Sequence, residues 1–292
     1  MRLICDSDCE LWFTQVEKLG IDCISMPYTV GDKEYFYDLG KDTDFASFYR
    51  LLRSGVASKT SAINPEGYVQ FLEPIFSAGE DVLYVSFSHK MSGTFEHLKT
   101  AEDILKKKYP ERKITTFDTN SISLGAGIQV EEATKLYKAG KSLEEILTFL
   151  QEFTNKICVY FVVDDLMHLK RGGRLSSSAA FAGTLLGLKP ILTFDEHGGL
   201  KVIAKTMGKN KAILDLASHI NNEVIDDELY NCYIIDADCG REGDRVAELV
   251  RAKHPKLNVV RQIIGPVIGS HCGPGTLGVI YVGKVRPIPL SK

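Results

Sequence analysis

The sequence predicts an α/β fold in which a mainly parallel sheet is covered by helices on both faces. Short apolar runs alternate with amphipathic stretches through the first half of the chain, and the run at 81–88 (DVLYVSFS) is rich in β-branched and aromatic residues. The stretches between the runs have the apolar spacing and the length of helices. Such alternation is typical of a parallel sheet built from strand–helix–strand units.

The elements of the first half follow in chain order. The segment 45–53 has helical apolar spacing and ends near Gly55, which suits the glycine that closes many helices. We predict strands at 2–5, 81–88 and 113–118, an extended segment at 21–30, and helices at 45–53, 67–76, 96–109 and 126–138.

The alternation of strands and helices restarts near Lys156. A helix at 142–154 leads through a short turn into an apolar strand at 157–163. Further strands are predicted at 201–205, 229–235 and 258–264, with helices at 211–224 and 243–254. We therefore predict an N-terminal α/β domain at 1–156 and a C-terminal α/β domain at 157–292.

The composition excludes several classes of protein. The 292 residues are 44% hydrophobic and 25% charged, which is typical of a globular chain with a sizeable core. A net charge of −3 gives no overall attraction to nucleic acid or to an anionic membrane, and no apolar stretch reaches the roughly 18 residues of a membrane span. The N-terminus reads as a strand and not as a signal peptide.

Cysteine usage indicates a reducing compartment. The seven cysteines are scattered and odd in number, so we expect free thiols and a cytoplasmic protein. Cys5 and Cys9 are four residues apart, but no second pair has the spacing of a zinc site, and we expect no metal. His271 lies next to Cys272 in the sequence, and adjacent side chains of an extended segment point in opposite directions. A cysteine nucleophile is therefore not expected.

The run 265–275 (GPVIGSHCGPG) is the most informative stretch of the chain. Four glycines and two prolines in eleven residues are not expected to form an ordinary helix or strand. We therefore expect His271 to lie in a stiff turn between two apolar segments. Such a histidine suits a site that handles an anion or a proton, and the alternative is a histidine that only packs the turn.

Three loops follow predicted strands and precede helices, at 5–8, 86–94 and 118–121. Ligands of parallel α/β sheets lie beyond the carboxyl ends of the strands, where such loops meet. Ser92, Gly93 and Thr94 combine hydroxyls with backbone amides at a helix N-terminus, which favours an anion. The alternative is that Ser92, like Asp6 and Asp118, serves only as a helix cap.

Two further stretches of the second half stand out. Lys170, Arg171 and Arg174 flank a Gly-Gly pair and form either a patch for an anionic ligand or partner or a solvated turn. The stretch 179–192 (AAFAGTLLGLKPIL) predicts a helix that is apolar nearly all round. Such a helix is part of the core or lines an apolar cavity.

Taken in order, these motifs resemble those of the DegV family, the fatty-acid-binding proteins that serve bacterial fatty acid kinase. The resemblance spans nearly the whole chain and rests on seven ordered motifs: Asp6-Ser7, Thr60-Ser61, Ser92-Gly93-Thr94-Phe95, Asp118-Thr119, 169–174 (LKRGGR), 188–192 (LKPIL) and 269–275. The sequence departs from the family at 60–65 (TSAINP), where Thr-Ser-Gln-Pro-Ser is usual, and at 8–10, where Asp-Cys-Glu replaces Thr-Ala-Asp.

The resemblance implies a two-domain DegV-like α/β fold, with a mixed or antiparallel sheet in the C-terminal domain and a fatty acid in an apolar slot between the domains. It also implies roles for individual residues. The carboxylate would be held by Thr60, Ser61, Ser92, Gly93, Thr94 and His271. Lys170, Arg171 and Arg174 would lie near it or on a surface that docks the kinase, and the acyl slot would be lined by Phe181, Leu185, Leu186 and Ile191.

The function implied by the resemblance is presentation and not catalysis. The protein would bind a fatty acid of the palmitate, stearate or oleate type and offer its carboxylate to a separate ATP-dependent kinase, which makes an acyl phosphate for phospholipid synthesis. No cofactor is expected, a monomer is the expected state, and the sequence contains no Gly-x-x-x-x-Gly-Lys-Ser/Thr phosphate loop.

The alternative from the residues alone is a hydrolase or phosphotransferase that acts on a small anion. It would use Asp6, Asp118, Ser92 and His271 to bind a metal-phosphate or to supply a nucleophile and a base, with Arg174 as a clamp on the anion. A transcription regulator is disfavoured because no basic recognition helix stands out.

Overall fold

The computed structural model describes residues 1–175, 187–225 and 228–291. Contacts between Cα atoms group the chain into two compact units. The first consists of 1–43 and 60–152, and the second of 44–59 and 153–292. No pattern in the sequence indicates that 44–59 groups with the second unit. The predicted domain boundary near Lys156 stays a prediction.

Strands and helices alternate through much of the chain. The strands are β1 (Arg2–Asp6), β2 (Asp22–Ile24), β3 (Pro27–Val30), β4 (Lys33–Phe36), β5 (Ser58–Thr60), β6 (Val82–Ser86), β7 (Ile114–Asp118), β8 (Ile157–Val162), β9 (Leu188–Phe194), β10 (Leu200–Met207), β11 (Cys232–Asp236), β12 (Val259–Ile263) and β13 (Leu277–Val282). The helices are α1 (Phe13–Leu19), α2 (Phe45–Arg53), α3 (Pro65–Ser77), α4 (Thr94–Lys108), α5 (Leu124–Lys138), α6 (Leu143–Thr154), α7 (Leu166–Arg171), α8 (Gly208–Glu223), α9 (Gly240–Lys253) and α10 (Pro266–Cys272). However, β2, β3 and β4 follow one another, as do α5 and α6.

The first unit is built on a four-stranded parallel sheet of order β2-β1-β6-β7. All five residues of β6 are buried, as expected for a central strand with helices on both faces. Because parallel strands end at the same edge, Asp6, Ser86 and Asp118 all close their strands there, and Ser86 is in register with Asp118. The loops at 5–8, 86–94 and 118–121, which were predicted as ligand-binding loops, therefore all lie at this edge of the sheet.

Helix α3 begins earlier than its apolar spacing predicted. The Asn64 side chain accepts a 2.8 Å hydrogen bond from the Gly67 amide, and Pro65 occupies the first helical position, where its missing N–H costs nothing. The departure from the family pattern at 60–65 therefore has a local role, because Asn64 and Pro65 start the helix. Tyr68 lies one turn further along and is fully buried.

The second unit contains a mixed six-stranded sheet of order β10-β9-β8-β13-β11-β12. Strands β11 and β12 pair in parallel, and the other neighbours pair antiparallel. Its core includes Leu216 and Val250 from the helices and Tyr281 from β13. A parallel sheet followed by a mixed sheet confirms the predicted two-part α/β fold class.

The run 265–275 was wrongly predicted to avoid a helix, because residues 266–272 form α10. Pro266 stands at the helix start, where proline is tolerated, and Gly269 faces α2, where a Cβ atom would lie 2.7 Å from the Tyr49 hydroxyl. The helix ends at Gly273, whose φ of 76° favours glycine. His271 therefore lies in the last turn of a short helix and not in an irregular turn.

The apolar stretch at 179–192 does not continue as one helix. Leu188–Phe194 forms β9, and an apolar run of this length cannot be assigned to helix or strand by periodicity alone. Phe181, Leu185 and Leu186 lie outside the described residues. Across the described part of the chain, every helix is too short or too polar to cross a membrane.

Candidate functional site

The Asp6 carboxylate lies at the carboxyl edge of the first sheet and accepts three hydrogen bonds. Its carboxylate Oδ2 accepts hydrogen bonds from the Tyr84 and Ser86 hydroxyls, each at 2.9 Å, and Oδ1 accepts the Asp8 amide at 3.0 Å. Asp6 is completely buried, and burial, with a smaller contribution from nearby Cys9, raises its pKa to about 7. The hydrogen bonds lower the pKa but do not offset burial, so the carboxyl is largely protonated below neutral pH.

The turn 92–94 connects β6 to α4 by way of a short 3₁₀ segment. Ser92 has extended backbone, and its Oγ lies 3.1 Å from the Thr94 Oγ1. Gly93, and not Ser92, is the N-cap of α4, and no side chain caps this helix. The reading of Ser92 as a helix cap is therefore wrong. The first turn of α4 offers amides that no capping side chain engages, beside two hydroxyls that contact each other.

Thr60 and Ser61 follow β5 and precede α3. Thr60 is half-buried and Ser61 is exposed. The same segment is held to α4, because the His97 ring Nδ1 lies 2.7 Å from the Ile63 carbonyl oxygen. Both segments belong to the first unit.

Asp118 makes a contact that the sequence analysis did not assign. Its Oδ2 pairs with Nδ1 of His89, and its Oδ1 accepts the Asn120 amide at 2.8 Å. His89 lies in the loop 86–94 that the sequence had singled out, but nothing in the local pattern indicated its partner. Asp118 thus orders its own turn and orients a solvent-exposed histidine.

In the second unit, His271 is held neutral at physiological pH. Burial, which disfavours the imidazolium form, and to a smaller extent the positive charge of Arg174 together lower its pKa to about 4. A neutral imidazole carries one N–H donor and one acceptor nitrogen. His271 can therefore donate one hydrogen bond to an anion without bringing a charge of its own.

The loop 170–174 packs directly against this histidine. A Cβ atom on Gly172 would overlap Nδ1 of His271, so only glycine lets the backbone come this close. The Arg174 guanidinium donates to the Gly172 carbonyl, whereas Arg171 extends to the surface and lies 3.8 Å from the Asp165 carboxylate. Lys170 is half-buried. The structure thus brings together two motifs that are about a hundred residues apart.

Two residues of the segment 44–59 make hydrogen bonds to α10 and to the residues just before it. The Tyr49 hydroxyl donates to the Ile264 carbonyl at 2.7 Å, and the Ser58 and Ser270 hydroxyls lie 2.6 Å apart. No sequence pattern pointed to these contacts, because they join segments more than two hundred residues apart. Ile191, predicted to line an acyl slot, lies buried in β9 within the core of the second sheet.

The predicted carboxylate residues are divided between the two units. Thr60, Ser61, Ser92, Gly93 and Thr94 belong to the first, and His271 belongs to the second with Lys170, Arg171 and Arg174. Their joint action on one ligand stays a prediction. Within the ranges that the structure describes, no cluster of three or more His, Cys, Asp or Glu side chains is arranged to hold a metal ion.

Comparisons with known proteins bear on the identity of this chain. A DegV domain-containing protein of Clostridium perfringens is 35% identical over 281 residues, which cover 96% of this chain and 97% of the relative. The crystal structure of DegV from Bacillus subtilis, described as a fatty acid binding protein, has a TM-score of 0.83 and 28% identity, covering 97% of this chain and 99% of that one. A DegV family protein from Thermus thermophilus, described by its fatty acid binding, has a TM-score of 0.83 and 27% identity over 97% of this chain and 99% of its own.

The family model for DegV, described as a family of uncharacterised proteins, matches residues 1–284. The match covers both units, and the resemblance inferred from the ordered motifs is confirmed. This chain belongs to the DegV family.

Proposed function

We propose that this protein binds a long-chain fatty acid and holds its carboxylate with Thr60, Ser61, Ser92, Gly93, Thr94 and His271. The observation that carries the proposal is the similarity, over 97% of the chain, to the B. subtilis DegV that is described as a fatty acid binding protein. The T. thermophilus relative supports the same ligand class.

The chemistry of the turn 92–94 suits a carboxylate. Ser92 and Thr94 supply hydroxyl donors, and the start of α4 supplies backbone amides in the favourable field of a helix N-terminus. A neutral His271 adds a further N–H donor. Several donors that converge on one carboxylate fix its orientation, because hydrogen bonds to an ionised acceptor are short and strong.

The acyl chain would supply most of the affinity. Burying about 15 methylenes at roughly 0.8 kcal/mol each contributes on the order of 12 kcal/mol before the cost of lost freedom. The polar residues would then set the direction of the ligand more than its total affinity.

The finer part of the proposal is that the protein is a carrier for a separate ATP-dependent fatty acid kinase. Gly93 is exposed, so a carboxylate at this turn would remain accessible to a partner. Arg171 and the neighbouring Lys170 and Arg174 would contact that partner or the carboxylate. We place the protein in the cytoplasm, where its free thiols stay reduced, and expect a monomer.

The experiment is native mass spectrometry of protein purified from a bacterial host, followed by organic extraction and lipid identification. We expect an adduct of fatty-acid mass that extraction removes. A protein that stays unliganded after incubation with oleate or palmitate would overturn the proposal. The leading function would then be an enzyme for a small anion, for which the His89–Asp118 pair is the favouring observation.

The carrier role has a test of its own. Ser92→Ala should reduce phosphorylation of the bound fatty acid by the kinase more than it reduces the amount of lipid bound, because Ser92 orients only the head group. Ser77→Ala, at an exposed serine near the end of α3, is the matched control. Equal phosphorylation in Ser92→Ala and wild type would remove Ser92 from the site.

A further inference from the structure

Three cysteines of the first unit lie close together near the start of the chain. Cys5 belongs to β1 and Cys9 to the 3₁₀ segment Ser7–Cys9 that follows it, and their Sγ atoms are 3.8 Å apart. Cys23 lies in β2, where it is the Cα partner of Cys5 in the parallel pairing of the two strands. Side chains of such partners point to the same face of a sheet, so Cys5 has a thiol neighbour on each side.

The three thiols differ in their access to solvent. Cys5 and Cys9 are buried, with exposed fractions of 0% and 1%, whereas Cys23 is half-buried. A small oxidant such as hydrogen peroxide therefore meets Cys23 first. The function proposed above uses none of the three thiols, so the cluster has no role in it.

The geometry of both neighbouring pairs suits a disulfide bond. Paired strands lie about 4.8 Å apart, which is within the range of Cα separations in natural disulfides. The Cys5 and Cys9 sulfurs must approach by about 2 Å to reach bonding distance, and rotation of the two side chains changes this distance. The backbone at Cys9 packs closely on α5, since a Cβ atom on Gly127 would lie 2.6 Å from the Cys9 carbonyl oxygen.

We propose that this cluster is a thiol oxidation site, at which peroxide converts Cys5 and Cys9 into a disulfide by way of Cys23. The Cys23 sulfur first attacks one peroxide oxygen, the O–O bond breaks, and a sulfenic acid and one water are formed. The Cys5 sulfur then attacks the Cys23 sulfur, which loses its hydroxyl group as a second water and forms a Cys5–Cys23 disulfide. Cys9 finally attacks the Cys5 sulfur, and Cys23 leaves as a thiol.

Atoms and electrons balance over the three steps. Two thiols lose two electrons and two protons, and one molecule of peroxide takes them up and becomes two molecules of water. Cys23 returns to its starting state and acts only as the point of entry. Disulfides of this kind in reducing compartments are usually transient and serve in catalysis or in redox sensing.

The test is peptide mapping of wild type by mass spectrometry after treatment with peroxide, alkylation under denaturing conditions and digestion with trypsin. Trypsin leaves Cys5 and Cys9 together in the peptide 3–18 and places Cys23 in the peptide 19–33. We expect the peptide 3–18 to be unalkylated and two hydrogens lighter than its reduced form, with Cys23 alkylated. Dithiothreitol should restore alkylation of Cys5 and Cys9. Full alkylation of these two cysteines after peroxide treatment would overturn the proposal.

Two variants test the order of the steps. Cys23→Ser should slow formation of the Cys5–Cys9 disulfide about tenfold, because the partly exposed thiol is removed. Cys9→Ala should stop the sequence at the Cys5–Cys23 disulfide, which links the peptides 3–18 and 19–33. An unchanged rate in Cys23→Ser, or the absence of linked peptides in Cys9→Ala, would overturn the proposed route.

Cys232 is the internal control in every sample. It is as completely buried as Cys5 but lies in the second unit, so it should stay reduced and be alkylated after the same treatment. Oxidation of Cys232 at the same rate as Cys5 and Cys9 would show that peroxide acts without selectivity and would overturn the proposal.

Discussion

Two glycines in the predicted ligand-binding motifs have the same backbone φ but very different surroundings. Gly93 caps α4 with φ −73°, and Gly172 closes α7 with φ −73°. A Cβ atom on Gly93 would meet no atom of the described chain within 4 Å, apart from its own neighbours, whereas one on Gly172 would overlap His271. Gly93 therefore leaves room for an approaching group, and Gly172 is required for packing inside the protein.

The predicted ligand-binding motifs also include a buried titratable group in each unit, Asp6 in the first and His271 in the second, and the pKa values of the two groups are shifted in opposite directions. Burial raises the pKa of Asp6 to about 7 and lowers that of His271 to about 4. Between these values both groups are mainly uncharged in the folded protein. Burial thus suppresses charge in both motifs, whichever sign the group would carry.

The largest expected effect concerns Asp6. Its folded pKa of about 7 lies above the ordinary value of 3.8, so its contribution to stability is complete below about pH 4 and is lost as the pH rises to 7. The loss has a limiting slope of about 1.4 kcal/mol per pH unit. Because His271 contributes an opposite slope in wild type, Asp6→Asn should make the free energy of unfolding rise more steeply with pH between 4 and 7 in urea unfolding. A pH profile that Asp6→Asn leaves unchanged would show that Asp6 ionises normally.

His271 should show the reverse pH dependence. Its folded pKa of about 4 lies below the ordinary 6.5, so its contribution is complete above pH 6.5 and is lost as the pH falls toward 4, again with a limiting slope of about 1.4 kcal/mol per pH unit. The two slopes oppose each other in wild type. His271→Gln should therefore reveal the falling slope of Asp6, and Asp6→Asn the rising slope of His271. If the free energy of unfolding of both variants changed with pH in the same direction, the opposite pKa shifts of Asp6 and His271 would be contradicted.

The glycine comparison predicts a smaller effect on stability. Gly172→Ala forces His271 away from the loop and should destabilise the protein by about 1–3 kcal/mol, the usual cost of overpacking. It should also disturb the His271 ring resonances in NMR spectra. If Gly172→Ala is as stable as wild type and leaves those resonances in place, the loop does not pack on the histidine.

The smallest expected change in stability is that of Gly93→Ala, which is the control for Gly172→Ala. The new methyl group meets no atom, and the less favourable helix cap should cost no more than about 1 kcal/mol. Oleate titration should nevertheless show weaker binding, because the methyl group occupies space that the proposed carboxylate needs. Unaltered oleate affinity would place the head group elsewhere.

The boundaries of α2 were predicted from local signals, whereas the start of α3 was predicted too late although its cap, Asn64, is also local. The predicted helix at 45–53 coincides with α2, since Asp44 caps its first turn with a 2.9 Å hydrogen bond to the Ser47 amide and the apolar face has a regular spacing. Helix α10 was not predicted, because its glycine and proline residues disfavour a helix when the packing around them is unknown. Gly269 is accommodated there by contact with Tyr49, which is remote in the sequence.

Local sequence placed the candidate polar residues but not their partners. The position of Ser92–Thr94 after a buried strand indicated the carboxyl edge of the sheet, where Asp6 and Asp118 also lie. The partners Tyr84, His89 and Gly172 carried no signal of their own. Which side chains contact each other depends on their distance in the folded protein, whereas a single sequence gives only their separation along the chain.

The sequence by itself determined the alternation of strands and helices, the mainly parallel first sheet and the family, because these depend on residue patterns that repeat over short distances. Only the tertiary structure decided that Asp6 and His271 have shifted pKa values and that Gly172 packs on an imidazole. Each of these properties depends on the loss of water around a group and on atoms brought to it from distant segments. No local pattern encodes that environment.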